Sequence, residues 1–279
     1  MTVPAATPIS DALAVPGARL HHEVRGAGPL VVLLGTPMDA DAFAGLANLL
    51  AADHTVLTTD VRGIGRSPVD DPDASPTLST RADDVARLIR HVGADGPVTL
   101  FGSSGGAVTA LAVALEHPDL VDTVVAHEPP LVELLPDRDE RHVGEDVVIE
   151  RWFAGDHAGS WRAFLENAAI RMPEEVFQMV FAGEPDAAAK ADGDYQNAHL
   201  LRPTTHFRPD VDALRTGTPR IVVGIGEDSA GQLCDRTSRA LADALGIAPT
   251  LFPGDHVGFA EDPAAFLPVL RAVLPGRAT

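Results

Sequence analysis

The chain has 279 residues, 45% of them hydrophobic, enough for one large α/β domain or two small ones around a substantial core. A formal charge of −19 repels nucleic acid and anionic membranes, so neither is expected as a partner, and the acidity is read as a solubility device. The single cysteine, Cys234, excludes an internal disulfide and fits a reducing, cytoplasmic setting; without paired CxxC or HExxH patterns, no metal or other cofactor is expected.

Residues 1–10 show no basic region leading into an apolar run and read as a loosely ordered lead-in rather than a signal peptide. No stretch reaches the ~18 apolar residues of a membrane helix. Strands are predicted over 19–24 and 30–34, the second apolar throughout as in a strand buried on both faces. Helical patterning over 39–52, a strand over 56–59 and an amphipathic helix over 80–92 follow. After the stretch 98–108 comes a helix to about 116, stopped at His117-Pro118, and then a buried strand over 121–126. This alternation implies a mostly parallel sheet covered on both faces.

The alternation breaks over 129–215, where the pattern is helical and holds most of the aromatics. It resumes with strands over 220–225 and 249–252, a helix over 234–245 between them, and a closing helix after Glu261. The expected organisation is a core of 1–128 and 216–279 interrupted by a helical lid over 129–215. Aromatics such as Trp152 and Trp161 are expected to divide between the lid's own core and an apolar substrate pocket.

Within 98–108, Gly102-Ser103-Ser104-Gly105-Gly106 fits G-x-S-x-G, a serine on a tight strand-to-helix turn. The turn requires small residues two before and two after the nucleophile. Ser104 has Gly102 and Gly106 there, whereas Ser103 would have Phe101, so Ser104 is the candidate. A serine hydroxyl needs a base. Of the 11 histidines, His256 stands in the Gly-flanked loop after the last strand, where loops at carboxyl ends of parallel strands converge. His127, His199 and His206 are candidates for the pocket wall. An acid to hold the histidine has two possible sources, Asp228 after the penultimate strand and Glu128 after the strand that follows the elbow; Asp228 is preferred. The oxyanion requires two N–H donors, expected from Gly105 and from Thr36, with Gly35 behind it and counted with the substrate-binding residues.

The elbow, the Asp60-x-Arg62-Gly63-x-Gly65-x-Ser67 turn, the His256 loop and the lid's position together resemble the α/β-hydrolase family over nearly the whole chain. The resemblance implies serine-type acyl chemistry, with Asp60 to Ser67 a structural turn and with some relatives taking their acid from the position of Glu128. Leu34-Gly35 departs from the His-Gly many relatives carry before the oxyanion residue. Relatives that open epoxides or cleave carbon–halogen bonds attack with an aspartate at the elbow, which Ser104 argues against. The expected activity is hydrolysis of an ester or lactone of a small, fairly apolar molecule. C–C bond hydrolysis, cofactor-free perhydrolysis and ligand binding without turnover are the alternatives, and a homodimer is compatible with the chain.

Overall fold

The computed structural model describes residues 7–94 and 96–275. Eight strands form one sheet: β1 Ile9–Val15, β2 Ala18–Arg25, β3 Leu30–Leu34, β4 Thr55–Thr59, β5 Val98–Ser103, β6 Thr123–His127, β7 Arg220–Gly226 and β8 Thr250–Phe252. Their order is β1-β2-β4-β3-β5-β6-β7-β8. Pairing is antiparallel from β1 to β4 and parallel from there to β8.

β3 explains the layering. All five of its residues are buried, and the two-residue period of a strand sends them to opposite sides. Val31 and Leu33 meet Phe43, Leu46 and Phe266, on the side covered by α1 (Ala44–Leu50) and a C-terminal helix over Pro263–Val273. Val32 and Leu34 meet Leu88 of α2 (Leu78–Val92), Leu111 of α3 (Gly105–Glu116) and Leu241 of a helix over Leu233–Leu245. A strand apolar on both faces needs cover on both, and the flanking helices supply it.

The expected lead-in ends early. Residues 1–6 lie outside the described ones, and Ile9 and Ser10 already pair with Val24 and Glu23 at the start of β1. Leu13 and Val15 pack on the core while Ala14 between them faces outward, the pattern of an edge strand.

Between β6 and β7 the described residues form no strand. They carry α4 (Arg138–Phe153), α5 (His157–Asn167), α6 (Glu174–Val180), α7 (Ala187–Tyr195), a π-type turn over Gln196–Leu200, α8 (Leu201–Thr205) and α9 (Val211–Thr216). Polar contacts tie this segment to the sheet layers. Arg81 Nη1 donates to Thr204 Oγ1 at 2.9 Å, and the Gly65 amide to Asp192 Oδ1 at 2.9 Å. Tyr195 packs with Ile64 and Leu200 beside the turn that follows β4. Among the described residues, no helix is long and apolar enough to cross a membrane.

Candidate active site

Ser104 stands between β5 and α3 with φ 56° and ψ −128°. Such a backbone costs a non-glycine residue roughly 1–3 kcal/mol and persists only where its surroundings hold it. Here the Ser104 amide donates to the His127 carbonyl at 3.0 Å, and its own carbonyl accepts from Ala107 at 2.9 Å. The flanking glycines are required by contact. A Cβ on Gly102 would lie 2.6 Å from Ala107 Cα, and one on Gly106 would lie 2.8 Å from Gly35 Cα.

The adjacent strand ends in a second special backbone. Glu128, directly after β6, has φ 50°, and its amide donates to the Gly224 carbonyl at 3.0 Å. Its buried carboxylate is doubly engaged: Oε1 accepts from the Gly226 amide at 2.8 Å, and Oε2 meets His256 Nδ1 at 2.5 Å. Burial pushes this carboxyl up, but the hydrogen bond and charge of His256 outweigh it and hold the group at about 2. Burial also works against charge on His256; the Cys234 sulfur and the Glu128 carboxylate overcome it and raise the imidazole above its ordinary 6.5. With Nδ1 occupied, Nε2 is the nitrogen left to act on a neighbour.

Asp228, the preferred acid on sequence grounds, does not meet the imidazole. It is exposed in the turn after β7, its amide donating to the Gly254 carbonyl at 3.0 Å, and it borders a surface hollow with Arg171 and Gln232. The reason is register: β7 ends at Gly226, whose amide is bound by Glu128, so the place beside Nδ1 is filled from β6.

Ser104, Gly105, Thr36 and His256 line one cavity of about 120 Å³. Thr36 and Gly105 come together closely, for a Cβ on Gly105 would lie 2.9 Å from Thr36 Cβ. Gly35 does not reach this cavity; it lines a separate void of about 20 Å³ that it shares with Arg81. His127, expected in the pocket wall, does not line the cavity either. It is wholly buried, its Nδ1 3.1 Å from Ser103 Oγ and its ring edge-on to Phe252 and Phe266. It shares strand parity with Val125, which faces the α1 side, so it points away from the cavity. Burial takes it down to about 4, a neutral ring.

Trp152 and Trp161 line an adjoining space of about 430 Å³ that shares Val148, Phe164 and Leu201 with the Ser104 cavity. Trp152 Nε1 donates to Asp194 Oδ1 at 2.8 Å, which fixes the indole. His199 is turned to Ser75, with Nδ1 2.8 Å from its hydroxyl, and His206 is stacked on His142 with ring centres 3.8 Å apart; neither lines the cavity.

Two cavity residues were not signalled by the sequence. Cys234, at the start of the helix after β7, lies with its sulfur within 4.8 Å of a ligand atom of both Glu128 and His256. Glu145 of α4 also lines the cavity. Nothing near either residue in sequence sets it apart, because each owes its position to long-range packing. Glu128, Cys234 and His256 form the one group of three potential metal ligands among the described residues. Glu128 Oε2 and His256 Nδ1, 2.5 Å apart, are directly hydrogen-bonded, which leaves no room for a cation between those atoms.

An imidazole held by a carboxylate at one nitrogen, in a cavity also lined by Ser104 and by the Thr36 and Gly105 backbone, is a set suited to proton removal and oxyanion binding. A family model for the alpha/beta hydrolase fold matches residues 28–202. The chain is 31% identical to the uncharacterized hydrolase YraK of Bacillus subtilis (strain 168), over 88% of this chain and 89% of that one. It is 39% identical to a fluoroacetate dehalogenase of a Burkholderia species, over 35% of this chain and 33% of the other. Among solved structures, Est816, described as an N-acyl homoserine lactone degrading enzyme, superposes with a TM-score of 0.72 at 21% identity, covering 95% of this chain and 100% of its own. The chain therefore belongs to the α/β-hydrolase fold family, and it is a hydrolase.

Proposed function

We propose that the protein is a serine hydrolase acting on an ester or lactone of a small, fairly apolar molecule. The observation that carries this reading is the strained Ser104 opening on the same cavity as His256, whose Nδ1 is taken by Glu128. In the proposed reaction His256 Nε2 accepts the Ser104 proton as Oγ bonds to the carbonyl carbon. The carbonyl oxygen takes up the negative charge and is met by the Thr36 and Gly105 amides. The imidazolium returns its proton to the leaving alkoxide, the ester bond breaks, and an acyl-Ser104 remains. Water then gives a proton to Nε2 and attacks the acyl carbon; Nε2 passes that proton to Ser104 Oγ as the acyl–oxygen bond breaks, which releases the acid and restores the serine.

Glu128 holds the imidazole in the tautomer with the proton on Nδ1 and offsets the charge it gains. Residues 129–215 act as the cap of this site. Val148, Phe164 and Leu201 give the pocket apolar walls, in keeping with an apolar acyl or alcohol group. A serine at the elbow supports this reading over epoxide or carbon–halogen opening, which the resemblance links to an aspartate there.

The test is hydrolysis of p-nitrophenyl acetate together with fluorophosphonate labelling. The parent protein is expected to turn over the ester and to take up one label on the peptide containing Ser104. Ser104→Ala should lose the label and at least about a thousandfold in kcat. A parent protein with neither turnover nor adduct would favour a ligand-binding member of the fold.

A further inference from the structure

The cavity at Ser104, about 120 Å³, is small beside the roughly 300–1,000 Å³ of a site that encloses a drug-sized ligand. The space next to it, about 430 Å³, is of that size. Five residues border both: Pro37 after β3, Val148 of α4, Phe164 of α5, Gln196 at the start of the π-type turn and Leu201 at the start of α8. Residues from so many separate segments, each touching both spaces, trace the rim of an opening; a partition would come from one or two. Beyond the rim the wall includes Met38, Ile64, Trp152 and Trp161, and no Lys, Arg or His among the described residues lines it. Its charged groups are Asp39 and Asp192, which meet at Gly65. The Gly65 amide donates to Asp192 Oδ1 at 2.9 Å, and a Cβ on Gly65 would lie 3.8 Å from Asp39 Cβ.

We infer that the substrate carries an extended apolar tail, without a negative charge at its end, that leaves the Ser104 cavity through this opening and lies against Trp152 and Trp161. This rests on the serine-hydrolase reading and narrows its substrate class to esters or lactones of medium chain length. Each methylene that exchanges water for these walls favours binding, on the order of two- to fourfold in kcat/KM. A carboxylate at the end of the tail would shed its hydration and come beside two others, with no cationic side chain in the wall to offset it.

The decisive measurement is kcat/KM at pH 8 for two ester series, both below micelle-forming concentrations. One runs from p-nitrophenyl acetate to the decanoate; the other, with the tail on the alcohol side, from ethyl to octyl acetate. Dividing each value by the alkaline hydrolysis rate constant of the same ester removes differences in intrinsic reactivity. One series should rise by about a hundredfold up to a tail of about eight carbons, and which one rises shows whether the acyl or the alcohol part enters the space. Leu201→Trp, at the rim, should lower the long-to-short ratio in that series by at least about tenfold, and Trp161→Gln, beyond it, by at least about threefold; the ratio cancels any loss that both esters share. Ending the chain in a carboxylate, as in the p-nitrophenyl monoester of octanedioic acid, should cost at least about fiftyfold. Asp192→Asn, which keeps the oxygen bound to Gly65, should recover about fivefold of that. Two flat series, a ratio that Leu201→Trp and Trp161→Gln both leave unchanged, or an acid-ended chain cleaved as fast as the neutral one overturns the inference. Hydrolysis of no ester by the parent protein overturns the serine-hydrolase reading instead. In that case calorimetric binding of methyl octanoate against methyl acetate tests the tail site alone, and equal affinity overturns it.

Discussion

Glu128 and Glu145 are both buried beside the Ser104 cavity, 0% and 4% exposed, yet the sheet and the helices inserted between β6 and β7 treat them in opposite ways. The carboxylate on the sheet side is engaged by the Gly226 amide and by His256, and it is held at about 2. The carboxyl on the helical side has one donor, Thr205, and is pushed up to about 7. Burial is nearly equal, so partner geometry makes the difference. Parallel strands in register bring an amide, a carboxylate and a loop histidine together at fixed spacing. Where α4 meets the short α8, one Glu145 oxygen is left without a hydrogen bond, with His206 Nε2 3.5 Å away. The sheet side is thus preorganised for charge, while on the helical side the carboxyl is disfavoured as an anion.

The largest expected effect comes from disarming the sheet side. Glu128→Gln should lower kcat by about 10⁴-fold while the fold survives, since the wrong tautomer is then held. Its remaining activity should also shift in pH. The ring must be neutral to accept a proton, so activity is lost as pH falls through the raised pKa of His256; without the carboxylate that pKa drops, and the acid limb moves to lower pH. An unchanged limb in the kcat/KM profile would count against the pairing.

The next largest effect is on the helical side and reads stability. A carboxyl whose pKa is raised to about 7 on folding contributes stability below its unfolded value near 4.5, and this is lost as pH rises from there to about 7. Glu145→Gln removes that loss. It should gain up to about 3 kcal/mol over the parent at pH 8 relative to the difference at pH 4, by urea denaturation. Equal gains at the two pH values would show that folding does not raise the Glu145 carboxyl.

The smallest effect sharpens the comparison by leaving both carboxyls alone. Asp228→Asn, on the exposed turn after β7, should keep kcat/KM within about twofold. A loss comparable to that of Glu128→Gln would return the acid role to Asp228.

Much of this was legible in the chain. The apolar run at Leu30–Leu34 announced a strand covered on both faces, and the Gly102/Gly106 spacing singled out Ser104, because each is a local steric requirement. β1 went unread because its single apolar face, Leu13 and Val15, is short and diluted by exposed residues. Asp228 was preferred over Glu128 because the turn after the penultimate strand is the commoner place for the acid, and nothing local to either loop shows which one the register brings to His256. His127 was assigned to the pocket because a strand's end position does not tell which face its last residue takes.

By itself, the sequence determined what depends on neighbours a few residues away: the order of strands and helices, the bend that exposes Ser104, and the loop that carries His256. Only the tertiary structure decided which carboxylate meets His256, which way His127 turns, that Cys234 lies against the imidazole, and that Glu145 reaches the cavity. Those outcomes hang on strand register and on how helices far apart in the chain cross. The same local sequence is compatible with several such arrangements, and the packing of the whole molecule selects one.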